Sequence, residues 1–149
     1  MAEKLHLKIV TPDRVLFDGL VDEVLLPGSE GQLGILPGHI PLLAMLRIGE
    51  LMIKQGDEWE SFAILGGFVE VQRDGLVSVL ADAAEHAEEI DELKALEAKK
   101  EAESVLAEKR DEVKFAEASL ALEKAIALLK VAQRKRKHRG QFIQVPKKP

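Results

Sequence analysis

Phe68-Val-Glu-Val-Gln-Arg-Asp-Gly-Leu-Val-Ser-Val-Leu80 is the stretch whose reading decides the fold. Apolar and polar residues alternate on both sides of Asp74-Gly75, and Asp-Gly between two such runs is a strong short-range hairpin signal. Working towards the N-terminus, Trp59 to Leu65 and Gly49-Glu-Leu-Met-Ile-Lys54 flank a turn at Gln55-Gly-Asp57, Val21 to Leu26 is rich in Val and Leu, and Lys4-Leu-His-Leu-Lys-Ile9 alternates strictly. This spacing predicts a β-sandwich or barrel of about eight to ten short strands ending near Asp82. Gly66-Gly67 lies between two strands and does not open a helix, so it reads as a sheet corner and not as a phosphate-binding turn.

Working towards the C-terminus, the composition changes after Ala83 to Ala, Glu, Lys and Leu, with no glycine before Gly140 and no proline before Pro146. Phe115, Ala118, Leu122, Ala125, Ile126, Leu129 and Ala132 recur at three- and four-residue steps, and Ile90, Leu93, Ala98, Ala102 and Val105 form a weaker stripe. One helix over 88–138 would be about 75 Å long at 1.5 Å per residue and would leave its stripe in water, which favours an antiparallel helical hairpin broken between Ser104 and Asp111. Gly140, after a basic run suited to a helix C-terminus, is expected to stop the second helix. The expected organisation is an α+β chain with a sandwich over 1–84, a helical hairpin over 85–139 and an extended basic tail over 140–149.

Within the sandwich, Pro27-Gly-Ser-Glu-Gly-Gln-Leu-Gly-Ile-Leu-Pro-Gly-His-Ile-Pro41 packs turn-forming residues around a polar loop and leads into the apolar run Leu42 to Leu46. So many prolines and glycines specify one backbone path, and a specified polar surface loop is usually there to touch something.

The chemistry excluded is as informative. The chain has 149 residues, 46% of them apolar, enough for one real core, and no cysteine, so disulfides, thiolate metal sites and cysteine nucleophiles are out. Its five serines and four histidines form no nucleophile-base motif, and no zinc-protease, Walker or dinucleotide signature occurs. This argues against catalysis by the chain alone. His86 beside Glu85, Glu88 and Glu89 reads as a solvated acidic first turn in preference to a cation site. No apolar run reaches membrane-spanning length and the N-terminus lacks a signal-peptide core, so a soluble, unexported chain is expected. The net charge of -5 is unevenly spread: residues 1–83 carry 6 Lys/Arg and 13 Asp/Glu, residues 84–129 carry 7 and 13, and residues 130–149 carry 8 and none. The basic end admits one rival reading, a β-domain adaptor binding nucleic acid through Lys130 to Arg139, but only Phe142 stands near to stack on a base.

The loop from Pro27 to Leu43, Gly66-Gly-Phe-Val-Glu-Val71 and the Ala-rich hairpin together resemble the epsilon subunits of bacterial F-type ATP synthases, counterparts of the mitochondrial delta subunit. The likeness covers about residues 4 to 137 and includes the opening Leu7-Lys-Ile-Val-Thr-Pro-Asp-Arg14. It implies a non-catalytic rotor-stalk subunit of a proton-translocating enzyme, peripheral to the cytoplasmic side of the inner membrane, with gamma, the c-ring and the alpha/beta hexamer as partners and no specific nucleic acid. Carried over by position, Ser29, Glu30, Gly31 and Gln32 would face the c-ring, and His39 and Thr11 would meet gamma. The helices would inhibit ATP hydrolysis in an extended state, with Lys130, Arg134, Lys135, Arg136, Lys137 and Arg139 meeting acidic segments of the hexamer. No cofactor is implied; ATP is a candidate regulatory ligand at Ile90-Asp91-Glu-Leu-Lys94-Ala95. There, lysine stands where the family motif has arginine, losing the planar fork, and Glu97 and Glu101 add negative charge nearby.

Overall fold

The computed structural model describes residues 3–108 and 111–144, with side chains up to residue 134. Eight strands come first: β1 (Leu5–Val10), β2 (Val15–Val21), β3 (Glu23–Gly28), β4 (Gly31–Ile35), β5 (Leu42–Gln55), β6 (Glu58–Val71), β7 (Leu76–Ala81) and β8 (Ala84–His86). A 3-10 turn at Ala87–Glu89 leads to two helices, α1 (Glu92–Glu108) and α2 (Glu112–Gln144). The expected β-sandwich followed by a helical hairpin is therefore present.

Neighbouring strands run β2-β1-β7-β6-β5-β3-β4, with β8 on β6. β1 and β7 are parallel and the other pairs antiparallel. The long strands β5 and β6 make two layers from this one path. Leu42, Ala44 and Leu46 of β5 face the core, then Leu51 and Ile53 do. On β6, Phe62 and Ile64 face it, then Val69 and Val71. Core-facing parity thus flips between Leu46 and Leu51 and, opposite, between Ile64 and Val69, so both strands turn a corner and contribute one half to each layer. Gly67 permits the corner: its φ is 138° and a Cβ there would lie 2.2 Å from the Leu80 carbonyl oxygen. Leu5, Leu7, Ile9, Val21, Val24, Leu26, Ile35, Val77 and Val79 complete the core between the layers.

Several sequence expectations need correction. The sheet runs past Asp82, because β8 pairs with β6 and His86 meets the Glu60 carboxylate and sets its ring edge-on to Phe62 at 4.9 Å. The polar loop is partly strand: β4 pairs along β3 from Gly28↔Gly31 to Val24↔Ile35. Gly140 does not end α2, which carries on to Gln144. A glycine inside a helix costs about 1 kcal/mol relative to alanine, which a long helix absorbs. Residues 141–144 are accordingly helical where an extended tail was expected, and residues 145–149 lie outside the described residues.

The chain divides into two compact units after His86. In the second, α1 and α2 pack through small residues. Ala95 and Ala102 of α1, with Ala118, Ala125 and Ala132 of α2, are buried at seven-residue intervals. Leu93, expected on the α1 stripe, is 75% exposed, and Ala98 is exposed as well. The helices approach closely enough that the alanines take the contact and the leucine is displaced to the outside. Asp91 and Asp111 cap the two helices, their carboxylates accepting from Lys94 N at 3.1 Å and from Val113 N at 2.8 Å.

Candidate functional site: the open sheet face and the turn beside it

Cross-strand register determines which outward side chains stand side by side. In the β2-β1-β7-β6-β5 layer, Met45 pairs with Phe68, Phe68 with Leu80, Leu80 with Val10, and Val10 with Val15. One apolar row thus crosses five strands on the face opposite the core. Met45 is 65% exposed, Val15 53%, Phe68 and Leu80 42% each, and Val10 is half-buried. Leu43, two residues before Met45 on β5, is exposed on the same face, and Ile40 is exposed in the loop that leads into β5. A contiguous row of exposed large apolar side chains is the kind of surface on which a partner can dock. Alternation in the sequence shows that each strand has two faces, but not that these particular residues line up; that signal was missed.

The row has charged neighbours. Two residues further along their strands, Arg47 and Glu70 are exposed on opposite sides of it. In the next row, Lys8 pairs with Asp18, and a hydrogen bond from His6 Nε2 at 2.6 Å, together with the charges of His6 and Lys8, holds Asp18 below the usual carboxylate range.

The residues expected at the c-ring gather at one place. Ser29, Glu30, Gly31 and Gln32 are all exposed at the two-residue turn joining β3 to β4. Ser29 N donates to Met45 O at 3.0 Å, so the tip is bonded to the same strand that begins the apolar row. Beyond β4, His39 N donates to Leu36 O at 3.1 Å across Pro37-Gly38, with Gly38 at φ 87°, which is a type II turn. The His39 Nδ1 lies 2.7 Å from Ile40 O; a carbonyl only accepts, so Nδ1 is the donor. Thr11, in contrast, is nearly buried, and its hydroxyl is within 3.3 Å of both Arg14 N and Arg14 O. It shapes the β1–β2 turn at the far end of the row.

The remaining expected sites lie in the helical unit. Ile90 and Asp91 immediately precede α1 and Lys94 and Ala95 lie in its first turn, where the Asp91 carboxylate is engaged as a cap and Ala95 is packed away. Lys130 and Arg134 are exposed one turn apart on α2. Lys135, Arg136, Lys137 and Arg139 continue that helix, and their side chains lie outside the described residues. Among the described residues, no group of three or more His, Asp or Glu side chains is arranged to hold a metal, and no helix is long and apolar enough to cross a membrane.

Comparison with known proteins agrees with this architecture. Residues 4–87 match the family described as ATP synthase, Delta/Epsilon chain, beta-sandwich domain, and residues 88–133 match ATP synthase, Delta/Epsilon chain, long alpha-helix domain. The ATP synthase epsilon chain of Syntrophobacter fumaroxidans is 47% identical over 134 residues, covering 90% of this chain and 99% of that relative. The epsilon chain of Dehalococcoides mccartyi is 49% identical over 136 residues, covering 91% and 96%. Among solved structures, a chain of the Euglena gracilis mitochondrial ATP synthase, OSCP/F1/c-ring in rotational state 1, superposes with a TM-score of 0.77 at 27% identity, covering 87% of this chain and 81% of its own. A chain of the Tetrahymena thermophila mitochondrial ATP synthase central stalk/c-ring shares the fold at TM-score 0.58 and 17% identity, covering 88% and 98%. These matches give the nucleic-acid adaptor reading no support. With both units matched and near-full-length relatives at almost half identity, the chain belongs to the delta/epsilon family of ATP synthase subunits, in its epsilon-chain branch.

Proposed function

We propose that this chain is a non-catalytic rotor subunit that couples the gamma subunit to the c-ring, and that its helices restrain ATP hydrolysis. The observation that carries the coupling is the apolar row on the open sheet face, bonded through Ser29 N and Met45 O to the exposed tip of Ser29 to Gln32. The row, with the His39 turn beside it, is the gamma-docking surface, and the tip meets the polar loops of the c-ring. Strands and a two-residue turn have little conformational freedom left to lose on docking, so load passes between the two surfaces without a segment first being ordered. The protein then sits peripherally on the cytoplasmic side of the membrane through its partners, and the chemistry stays in the alpha/beta hexamer.

Binding measurements with the cognate gamma subunit test this. Phe68→Glu places a charge in the centre of the row and should weaken association at least tenfold. His39→Arg combined with Glu30→Arg should weaken gamma and c-ring recovery together in a pull-down. Unchanged affinity and unchanged recovery would remove the assignment. For the helices, truncation after His86 should raise ATPase activity of the assembled enzyme without disturbing assembly, and no rise would remove the inhibitory role. ATP at Ile90, Asp91, Lys94 and Ala95 competes with the cap that Asp91 already forms; calorimetry at millimolar ATP showing no heat would exclude it.

A further inference from the structure

We infer that the contact of the Pro27 ring with Gly49 aims the tip of Ser29 to Gln32, so that these two residues are positioning residues for coupling although neither belongs to the tip or to the apolar row. This rests on the c-ring reading of the tip above. β3 pairs with β5 in two separate stretches, Glu23 to Leu25 with Met52 to Lys54, and Gly28 with Leu46. From Leu25 to Gly28 the chain takes three steps on β3, whereas β5 takes six from Leu46 to Met52. At about 3.3 Å per residue, β5 follows a path about 10 Å longer between the same two anchor points. The detour is the corner at which β5 passes from one layer to the other, and β3 cuts across it.

Gly49 is the midpoint of the detour, and Pro27 stands against it. A Cβ built on Gly49 would lie 2.7 Å from the Pro27 Cβ and 3.3 Å from its Cγ. Gly49 is not among the glycines with positive φ, so alanine suits its backbone and only the space for a side chain is missing. Proline suits the other side of the contact: it strands no N–H where the β3–β5 ladder is interrupted, and its ring is held to the backbone and cannot swing aside. Gly28 and Ser29 follow Pro27 directly, and Ser29 N is bonded to Met45 O. The tip therefore has two mounts on β5. The Ser29 bond sets its distance from the strand, and the contact between Pro27 and Gly49 sets its tilt about that bond. A Cβ at position 49 would have to push the ring back by about 1 Å to reach an ordinary carbon–carbon separation of about 3.5–4.0 Å. That push is applied at the root of the tip, while none of the pairs that align the apolar row involves Pro27 or Gly49.

The chain has no cysteine, so Glu30→Cys in the full chain carries a single benzophenone maleimide. Incorporated into the assembled enzyme, it is photo-cross-linked and its adduct with the c subunit is quantified by mass spectrometry; gamma affinity and melting temperature are measured on the same chains. Adding Gly49→Ala should lower the c adduct at least fivefold while gamma affinity changes less than twofold. Gly34→Ala, on β4 of the same ribbon, places its Cβ at an ordinary 3.5 Å from Leu25 Cδ2 and should leave both within twofold. Pro27→Ala removes the ring without crowding Gly49; it should also lower the adduct, and it stands in where Gly49→Ala fails to fold. An adduct unchanged by both substitutions, or lost only together with gamma affinity and melting temperature, overturns the positioning role and leaves the c-ring reading in place. No c adduct from the labelled parent removes the c-ring reading and the positioning role with it.

Discussion

Asp22 shows what a single carboxylate contributes to this fold. It accepts from Lys4 Nζ at 2.8 Å and from Gly56 N at 2.7 Å, tying the β2–β3 junction to the N-terminus and to the β5–β6 turn. The Lys4 hydrogen bond, then that from Gly56, holds it below the usual carboxylate range. A carboxylate depressed in the folded state adds stability above its unfolded value of about 3.9, and that stability is lost as pH falls through the folded value. Asp22→Asn should therefore lower the melting temperature at pH 7, with the difference from the parent shrinking as pH falls below about 3.9 and through the lower folded value; a pH-independent difference would assign the effect to packing. Two glycines separate conformational strain from collision. Gly38 has φ 87° with nothing within 4 Å of a built Cβ, so Gly38→Ala should cost about 1 kcal/mol in urea unfolding. Gly67 has a left-handed φ and a carbonyl 2.2 Å away, so Gly67→Ala should cost at least about 3 kcal/mol. The sequence marked Gly66-Gly67 as a corner because no helix follows it. It gave no hint that the missing Cβ makes room for the Leu80 carbonyl on another strand.

Elements differed in how far local pattern revealed them. The β6–β7 hairpin was legible from period two and Asp74-Gly75, and the break between the helices was legible from the polar residues before Asp111, which caps α2. β4 was hidden because Gly31-Gln-Leu-Gly-Ile35 has poor strand propensity and is held in the sheet by its pairing to β3 alone. The helical stripe was only half legible: hydrophobicity nominates Leu93, whereas the approach of two helices selects the small residue, and Ala95 is the one buried. Ala125→Leu should therefore overpack the α1–α2 contact and destabilise the hairpin by about 1–3 kcal/mol, while Leu93→Ala should stay within about 0.5 kcal/mol. Thermal melts followed at 222 nm compare the two, and a larger loss for Leu93→Ala would refute the alanine interface. Phe115, Leu120 and Ile126 remain exposed on α2 for the same reason, since the contact is made by alanines.

On the scale of the whole molecule, the main core is built from strand residues between Leu5 and Ala84. A fragment ending at His86 should consequently unfold cooperatively, with a near-parental melting temperature for its β signal; a non-cooperative melt would show that the sheet unit depends on the helices. Length, the switch from period two to helical spacing after Ala83, and the turn residues between Pro27 and Pro41 determined by themselves that a β-sandwich precedes a helical hairpin. These are properties of neighbouring residues, and a chain carries them before it folds. Tertiary structure alone decided that Met45, Phe68, Leu80, Val10 and Val15 form one row, that Ser29 is bonded to the strand where the row begins, and that the Thr11 hydroxyl is bonded to Arg14 within the β1–β2 turn. Each of those facts depends on register between strands far apart in sequence, and a one-residue slip would send every side chain of a strand to the other face. Local pattern states that a residue points outward; only the pairing of distant strands states what stands beside it.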